Sequence, residues 1–241
     1  MNESQILAIY MAQSENVRYL RKCINNLIKD INVDIKRNFD FQVTSKTKIL
    51  ALLYSAWSES QFLQIAFTEH GFNYSEICSI LAKKENGIAD GWIEMSNIAM
   101  SKSTASLSSH IKSQQLTKIK NTITTYIKDP SSLRNKIAHG QWVNALTIKK
   151  PKTNQNYTAS VNNTLSHKLA ALDPVEIHKQ IEIHQFLGAI IRNLVQSPEK
   201  GHVRDYAANI SALDAFLVRT ANWSLQTKKM ELSKKPTRPN L

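Results

Sequence analysis

Apolar side chains in the first part of the chain recur at three- and four-residue intervals. Val17, Leu20, Ile24, Leu27, Ile31 and Ile35 form one stripe, with Arg, Lys, Asn and Asp between them. That period fits the turn of an α-helix and not the two-residue alternation of a strand. It predicts a helix that begins within residues 1–10 and ends near Asn38. A break is expected at Phe39 to Thr44, with Ser45 as the N-cap of the next helix. There Ile49, Leu52, Leu53, Ala56, Ser60, Leu63 and Phe67 make a second stripe, closed by His70-Gly71 in the manner of a glycine stop. Trp57 is bulky enough to anchor this helix on the first. Glu59 lies on the flank of the stripe, where an unpaired carboxylate is costly, so a cationic partner is worth looking for; a solvent-facing side chain is the commoner outcome.

The pattern continues in shorter pieces. A short helix is expected over Asn73 to Ala82, followed by a loop at Lys83-Lys84-Glu85-Asn86-Gly87. Residues 90–109 read two ways: Trp92, Ile93, Met95, Ile98 and Met100 suit a helix, whereas Ser101 to Ser109 is serine-rich. Ile111, Leu116, Ile119 and Ile123 restore a helical period, which Asp129-Pro130 stops. Trp142 to Lys149 and Tyr157 to Asn162 then resemble two strands joined by the basic loop Lys150 to Asn156, a hairpin. Asp173-Pro174 has the form of an N-cap followed by proline at the first helical position. The helix it opens carries Ile177, Ile181, His184, Leu187, Ile191 and Leu194, up to Ser197-Pro198. A last helix, about 203–225, holds Tyr206, Ile210, Leu213, Leu217 and Trp223. The expected fold class is mostly α with one small hairpin. Residues 1–197 form a helical domain, 198–227 a C-terminal helix packed on it, and 228–241 a basic disordered tail.

Charge narrows the set of partners. The chain has 31 Lys and Arg against 19 Asp and Glu, a formal net charge of +12. An anionic partner follows, with nucleic acid first among the candidates, although lysine dominates the excess and a plain solvated surface accounts for part of it. Lys149, Lys150 and Lys152 in the hairpin, and Lys136 ahead of it, are candidate RNA contacts; an exposed loop with no role is the alternative. Cys23 and Cys78 are far apart and suggest neither a disulfide framework nor a zinc site, so a reducing cytoplasm is the expected compartment. No stretch reaches the length of a membrane span, and no signal peptide is read at the N-terminus. His178 and His184 are six residues apart, which does not set them on one helix face for a metal. No phosphate-binding glycine loop is present, and no cofactor or metal is expected.

The densest chemistry lies in Asp129-Pro130-Ser131-Ser132-Leu133-Arg134-Asn135-Lys136-Ile137-Ala138-His139-Gly140-Gln141-Trp142. Asp129 or Ser131 can cap a short helix that ends near His139, with Gly140 past its end. Leu133 and Ile137 share a core-facing side, and Asn135 and His139 share another. Arg134 and His139, five apart, diverge by about 140° on an ideal helix. One chain therefore does not close both around one atom without help from the length of Arg, distortion at the helix end or a second subunit. In the structural reading, Arg134 caps carbonyls or pairs with Glu59, and His139 merely closes the helix.

Arg-Asn-Lys-Ile-Ala-His-Gly-Gln-Trp resembles the Arg-x4-6-His motif of the HEPN superfamily (higher eukaryotes and prokaryotes nucleotide-binding domains). The long first and second helices, with Ser55-Ala56-Trp57-Ser58-Glu59 in the second, are similar to its helical bundle. The resemblance covers residues 1 to about 197, and its specific part is 134–142. It implies a metal-independent endoribonuclease, commonly a toxin or antiviral effector, whose motifs meet across a homodimer in one composite site. A cognate antitoxin or regulatory protein is a further implied partner. In that reading a His exchanges protons with the ribose 2′-hydroxyl or the leaving 5′-oxygen, and Arg134 neutralises the transition state. Asn135 orients His139 or the phosphate, Glu59 supports, and the product carries a 2′,3′-cyclic phosphate. The alternative is a noncatalytic module of the same fold that binds RNA or protein. One branch of the family has Tyr two residues after the motif His and is modified there; this chain has Gln141, which does not fit that regulation.

Overall fold

The computed structural model describes residues 1–103, 108–127, 130–149, 157–196 and 205–234. Ten helices and one two-stranded hairpin make up these residues. The first helix, α1 (Glu3–Arg37), starts on a capping box in which Asn2 and Gln5 exchange side-chain-to-backbone hydrogen bonds. Its sequence stripe is its packing face: Ile24, Ile31 and Ile35 are buried, and Val17, Leu20 and Leu27 pack beside them.

The expected break at Phe39 to Thr44 is much shorter. Asn38 takes a left-handed conformation (φ 58°), and α2 runs from Asp40 to Ala66 with Ser45 inside it rather than capping it. Two backbone bonds close the turn, Asn38 N–H to Ile35 O at 3.2 Å and Phe39 N–H to Asp34 O at 3.0 Å. Lys46 then holds Asp34 across the hairpin at 2.6 Å. At the other end α2 stops at Ala66, ahead of His70-Gly71.

The buried line of α2 also differs from the expected stripe. Leu50, Tyr54, Trp57, Phe62 and Ile65 are buried, whereas Ile49 and Ala56 are exposed. A one-face pattern fails here because α1, α4, α6 and α8 all touch α2. A helix enclosed on several sides has no single apolar stripe to read.

Shorter elements complete the bundle. Asn73 caps α3 (Tyr74–Lys84) through a capping box with Glu76. Next comes α4 (Ile88–Lys102), which resolves the two-way reading of 90–109 as helix up to Lys102. Ser108 caps α5 (Ser109–Tyr126). The motif helix is α6 (Pro130–Ala138), and strands β1 (Leu146–Lys149) and β2 (Thr158–Val161) pair antiparallel, Leu146 opposite Val161 and Ile148 opposite Ala159. An unforeseen helix, α7 (Asn163–Ala170), follows on an Asn162 cap. Asp173 accepts from Val175 N–H at the start of α8 (Pro174–Gln196), as its Asp-Pro signature implies. The six apolar or His positions read along α8 are all buried. Asp129, a candidate cap of α6, and the expected stop at Ser197-Pro198 lie outside the described residues.

The C-terminal region departs from expectation. Instead of one helix over 203–225 and a disordered tail from 228, there are α9 (Ala207–Arg219) and α10 (Leu225–Ser233). Ser224 caps α10 with Thr227, and Leu225 and Leu232 lie against the α1–α2–α8 core. Apolar contact at two positions and a hydrogen bond from Leu225 N–H to Asp173 Oδ2 at 3.2 Å tie down a segment whose composition alone reads as solvated. The last part of the expected tail, 235–241, is outside the described residues.

No helix among the described residues is long and apolar enough to cross a membrane. The main core lies between α2, α4, α5, α8 and α9, centred on Phe62, Trp92, Leu187 and Leu213. Between this core and the α1–α2–α8 core, the His184 ring meets Trp57 at 5.3 Å, Trp92 at 4.9 Å and Tyr54 at 6.0 Å. The Tyr54 hydroxyl lies 3.4 Å from His184 Nδ1. Complete burial pushes the His184 imidazole down to about 3, because a charged ring has no water to solvate it. His184 is a neutral core residue.

Candidate active site at the end of the motif helix

Helix α6 is short and amphipathic, and its two core residues define its orientation. Ile137 is buried and Leu133 half-buried, in a small cluster with Ala51 and Leu52 of α2, Ala145, Trp142 and Leu169. That placement sends Asn135 and His139 to solvent, where both are exposed, and turns Arg134 toward α2.

The helix ends on a doubly hydrogen-bonded left-handed turn. Gly140 N–H donates to Ile137 O at 3.1 Å, and Gln141 N–H donates to Lys136 O at 2.9 Å. Gly140 has φ +77°, a conformation that an L side chain adopts only under strain. His139 is thus the residue between the last helical turn and the glycine, with its N–H still bonded to Asn135 O at 3.2 Å.

Three side chains fix the turn in place and join it to the hairpin. The Trp142 indole N–H donates to Ile137 O at 3.0 Å. Lys136 Nζ donates to Leu146 O at 2.5 Å, and Gln141 Oε1 accepts from Leu146 N–H at 2.6 Å. The first residue of β1 is therefore tied through both of its backbone polar groups, one to the motif helix and one to the turn that ends it. Lys136, a candidate RNA contact by sequence, has its ammonium on that carbonyl. Lys149 is at the exposed end of β1, and Lys150 and Lys152 lie outside the described residues.

Glu59 has the cationic partner its position called for. Arg134 Nη1 lies 2.5 Å from Glu59 Oε1, with side chains 26% and 40% exposed. Solvent reaches both ends of the pair, so its net contribution is about 0.2–1 kcal/mol. Arg134 Nε is enclosed without a hydrogen-bond partner. The cleft around the pair is lined by Tyr54, Ser55, Ser58 and Ile88, and its volume is about 20 Å³. That space suits a group the size of one water, and a nucleotide would have to lie across its mouth.

The structure brings Arg134 to Glu59 and leaves Asn135 and His139 on the exposed side of the same helix. Among the described residues, no hydrogen bond joins the side chains of His139 and Arg134. Their divergence follows from the five-residue offset. The Glu59 pairing, the tie at Leu146 and the Trp142 bond to Ile137 O come from tertiary packing, and only the first had a sequence signal. Among the described residues no group of three or more His, Cys, Asp or Glu gathers as a metal cage. No family model, curated protein or solved structure matches this chain.

Proposed function

We propose that the chain is an endoribonuclease of the HEPN type, acting as a homodimer through Arg134 and His139 without a metal ion. The observation that carries this reading is the placement of an exposed His at the capped end of α6, on the same two turns as a forked cation. In the proposed reaction the ribose 2′-oxygen attacks phosphorus as a base takes its proton. The P–O5′ bond breaks, and the 5′-oxygen leaves with a proton from an acid. His139 is suited to proton exchange, and Arg134 to the charge that builds on the phosphoryl oxygens. Asn135, one residue from Arg134 and one turn from His139, is suited to orient the imidazole or the phosphate. Glu59 supports Arg134 by holding its guanidinium before substrate arrives. Products are a 2′,3′-cyclic phosphate and a 5′-hydroxyl. A role as toxin or antiviral effector, with a regulatory protein partner in the cytoplasm, belongs to the same resemblance.

A second reading has its own observation. The Arg134–Glu59 ion pair is also what a purely structural Arg would make, and a noncatalytic RNA-binding or protein-binding module would keep it. Labelled RNA incubated with the wild-type chain, Arg134→Ala and His139→Ala separates the two. Cleavage lost in both folded variants supports the nuclease. Tight RNA binding by an inert wild type supports the module.

A further inference from the structure

Helix α6 borders a second cleft, on a different flank from its Glu59 pair. Ala51 of α2, Leu133 of α6, and Leu172 and Ile177 around the start of α8 line its apolar part. Ile177 is buried and the other three are half-buried. The cleft measures about 290 Å³, near the lower end of the roughly 300–1,000 Å³ of small-molecule sites and enough for one planar ring system. It adjoins the motif. Tyr54 lines both this cleft and the small one around Arg134, and Leu133 is the residue before Arg134.

The polar groups of the cleft limit what can enter. Lys168 stands on α7, while Asp173, Glu176 and Gln180 stand at and after the start of α8. Both Asp173 oxygens are engaged: Oδ1 accepts from Val175 N–H at 2.7 Å and Oδ2 from Leu225 N–H at 3.2 Å. Glu176 lies a loose 3.7 Å from Lys179 Nζ and is 43% exposed, so its carboxylate can accept further hydrogen bonds. Among the described residues no hydrogen bond or ion pair engages Lys168 or Gln180. Two carboxylates against one lysine repel a phosphate from the interior. A flat neutral ring with an N–H donor on its edge suits it: the ring face covers the aliphatic floor, and Glu176 accepts from the edge. The net charge of +12 favours an anionic strand along the surface outside.

We propose that this cleft takes a nucleobase with an exocyclic amino group, presented by a single strand of RNA. Glu176 accepts from the amino group, Gln180 exchanges a hydrogen bond with the neighbouring ring atom, and Lys168 meets a flanking phosphate outside. Uracil carries a carbonyl oxygen at that edge, which would face the Glu176 carboxylate acceptor to acceptor. A base preference in cleavage rests on the nuclease reading; the base site itself does not.

The test is fluorescence anisotropy of the full chain with short end-labelled oligo-C and oligo-U strands at about 0.15 M salt. Both strands are 2′-O-methylated throughout, which blocks the proposed attack, and their bases differ by the amino or carbonyl group at this edge. The wild type should bind oligo-C about tenfold more tightly than oligo-U. Glu176→Gln, whose amide both donates and accepts, should bring that ratio near one. Ala171 is exposed on the cleft wall, so Ala171→Trp should fill the cleft and weaken oligo-C binding about tenfold. Unchanged far-UV circular dichroism verifies the fold of both variants. Equal affinity of the wild type for the two strands overturns the base site, as does a preference for oligo-C that both variants keep. Cleavage of unmodified RNA is assayed beside it. A chain that prefers oligo-C but cuts nothing keeps the base site while removing the nuclease; a chain that cuts without base preference does the reverse.

Discussion

Gly140 offers the cleanest single perturbation of the motif turn. It holds φ +77°, and a Cβ built on it would meet nothing within 4 Å. Any penalty for Gly140→Ala therefore comes from backbone conformation and not from a clash. A left-handed L-residue costs roughly 1–2 kcal/mol. Ala also restricts the unfolded chain, which returns about 0.4–1 kcal/mol. The difference is a destabilisation of about 1 kcal/mol, or a fall in Tm of roughly 2–4 °C for a chain of this size. Asn should lose less than Ala, since its side chain tolerates this conformation, as Asn38 shows in the α1–α2 turn at φ 58°. Val should lose more than Ala, because branching at Cβ adds strain. Thermal and urea unfolding followed at far-UV wavelengths measure the series, and an unchanged m-value is required for the comparison. Equal stability of Gly140→Ala and wild type would refute the left-handed constraint. A loss of several kcal/mol in Gly140→Ala would refute the open surroundings of the turn.

The other predictions concern charge. A double-mutant cycle over Glu59→Gln and Arg134→Met should give a coupling of about 0.5–1 kcal/mol in urea unfolding, because both side chains reach solvent; a coupling of several kcal/mol would mean a dry pair. The buried His184 should make the protein acid-sensitive. Its unfolded form binds a proton near the ordinary histidine value while the folded form resists down to about 3. Stability from this group is thus complete above the unfolded value and is lost as pH falls toward the folded one, at up to about 1.4 kcal/mol per pH unit. His184→Gln should remove that part of the slope, and identical slopes in urea midpoints between pH about 7 and 4 would contradict the assignment.

How much of this was legible in the sequence depended on how many sides of each helix are covered. On α1 one face does most of the packing, and its stripe marked the buried residues; α8 is covered on several sides, so its stripe was right as far as it went but left out the buried Ile183, Ile190 and Val195. α2 is enclosed by four neighbours, so its periodic residues Ile49 and Ala56 ended outside while Tyr54 and Trp57 ended inside. Capping chemistry was readable at Asp173, where a side chain makes the cap, and misread at Ser45, because the α1–α2 turn is closed by backbone bonds around Asn38. α7 and α10 were missed for one reason: each rests on two leucines, too few to set a period.

At the motif, the core-facing Leu133 and Ile137, the exposed Asn135 and His139 and the divergence of Arg134 from His139 all followed from 3.6-residue geometry. Glu59 stood out because a carboxylate on a packed flank needs a partner, and its position on α2 faces α6. The bonds from Lys136 and Gln141 to Leu146 join the motif helix to a strand, and no local pattern announces such a contact. The hairpin itself was visible, but that both of its faces stay largely exposed was not.

The proposed chemistry is reached most directly by cleavage of a labelled RNA with the purified chain in excess EDTA, with the ends of the fragments identified. A matched substrate carrying 2′-deoxyribose at the cleaved position runs beside it. Expected are cutting of the all-ribose strand, a 2′,3′-cyclic phosphate on its product, no cutting at the deoxy position, and loss of activity in His139→Ala. Cleavage that requires an added metal ion, or that proceeds equally through the deoxy position, would overturn the metal-independent 2′-hydroxyl mechanism.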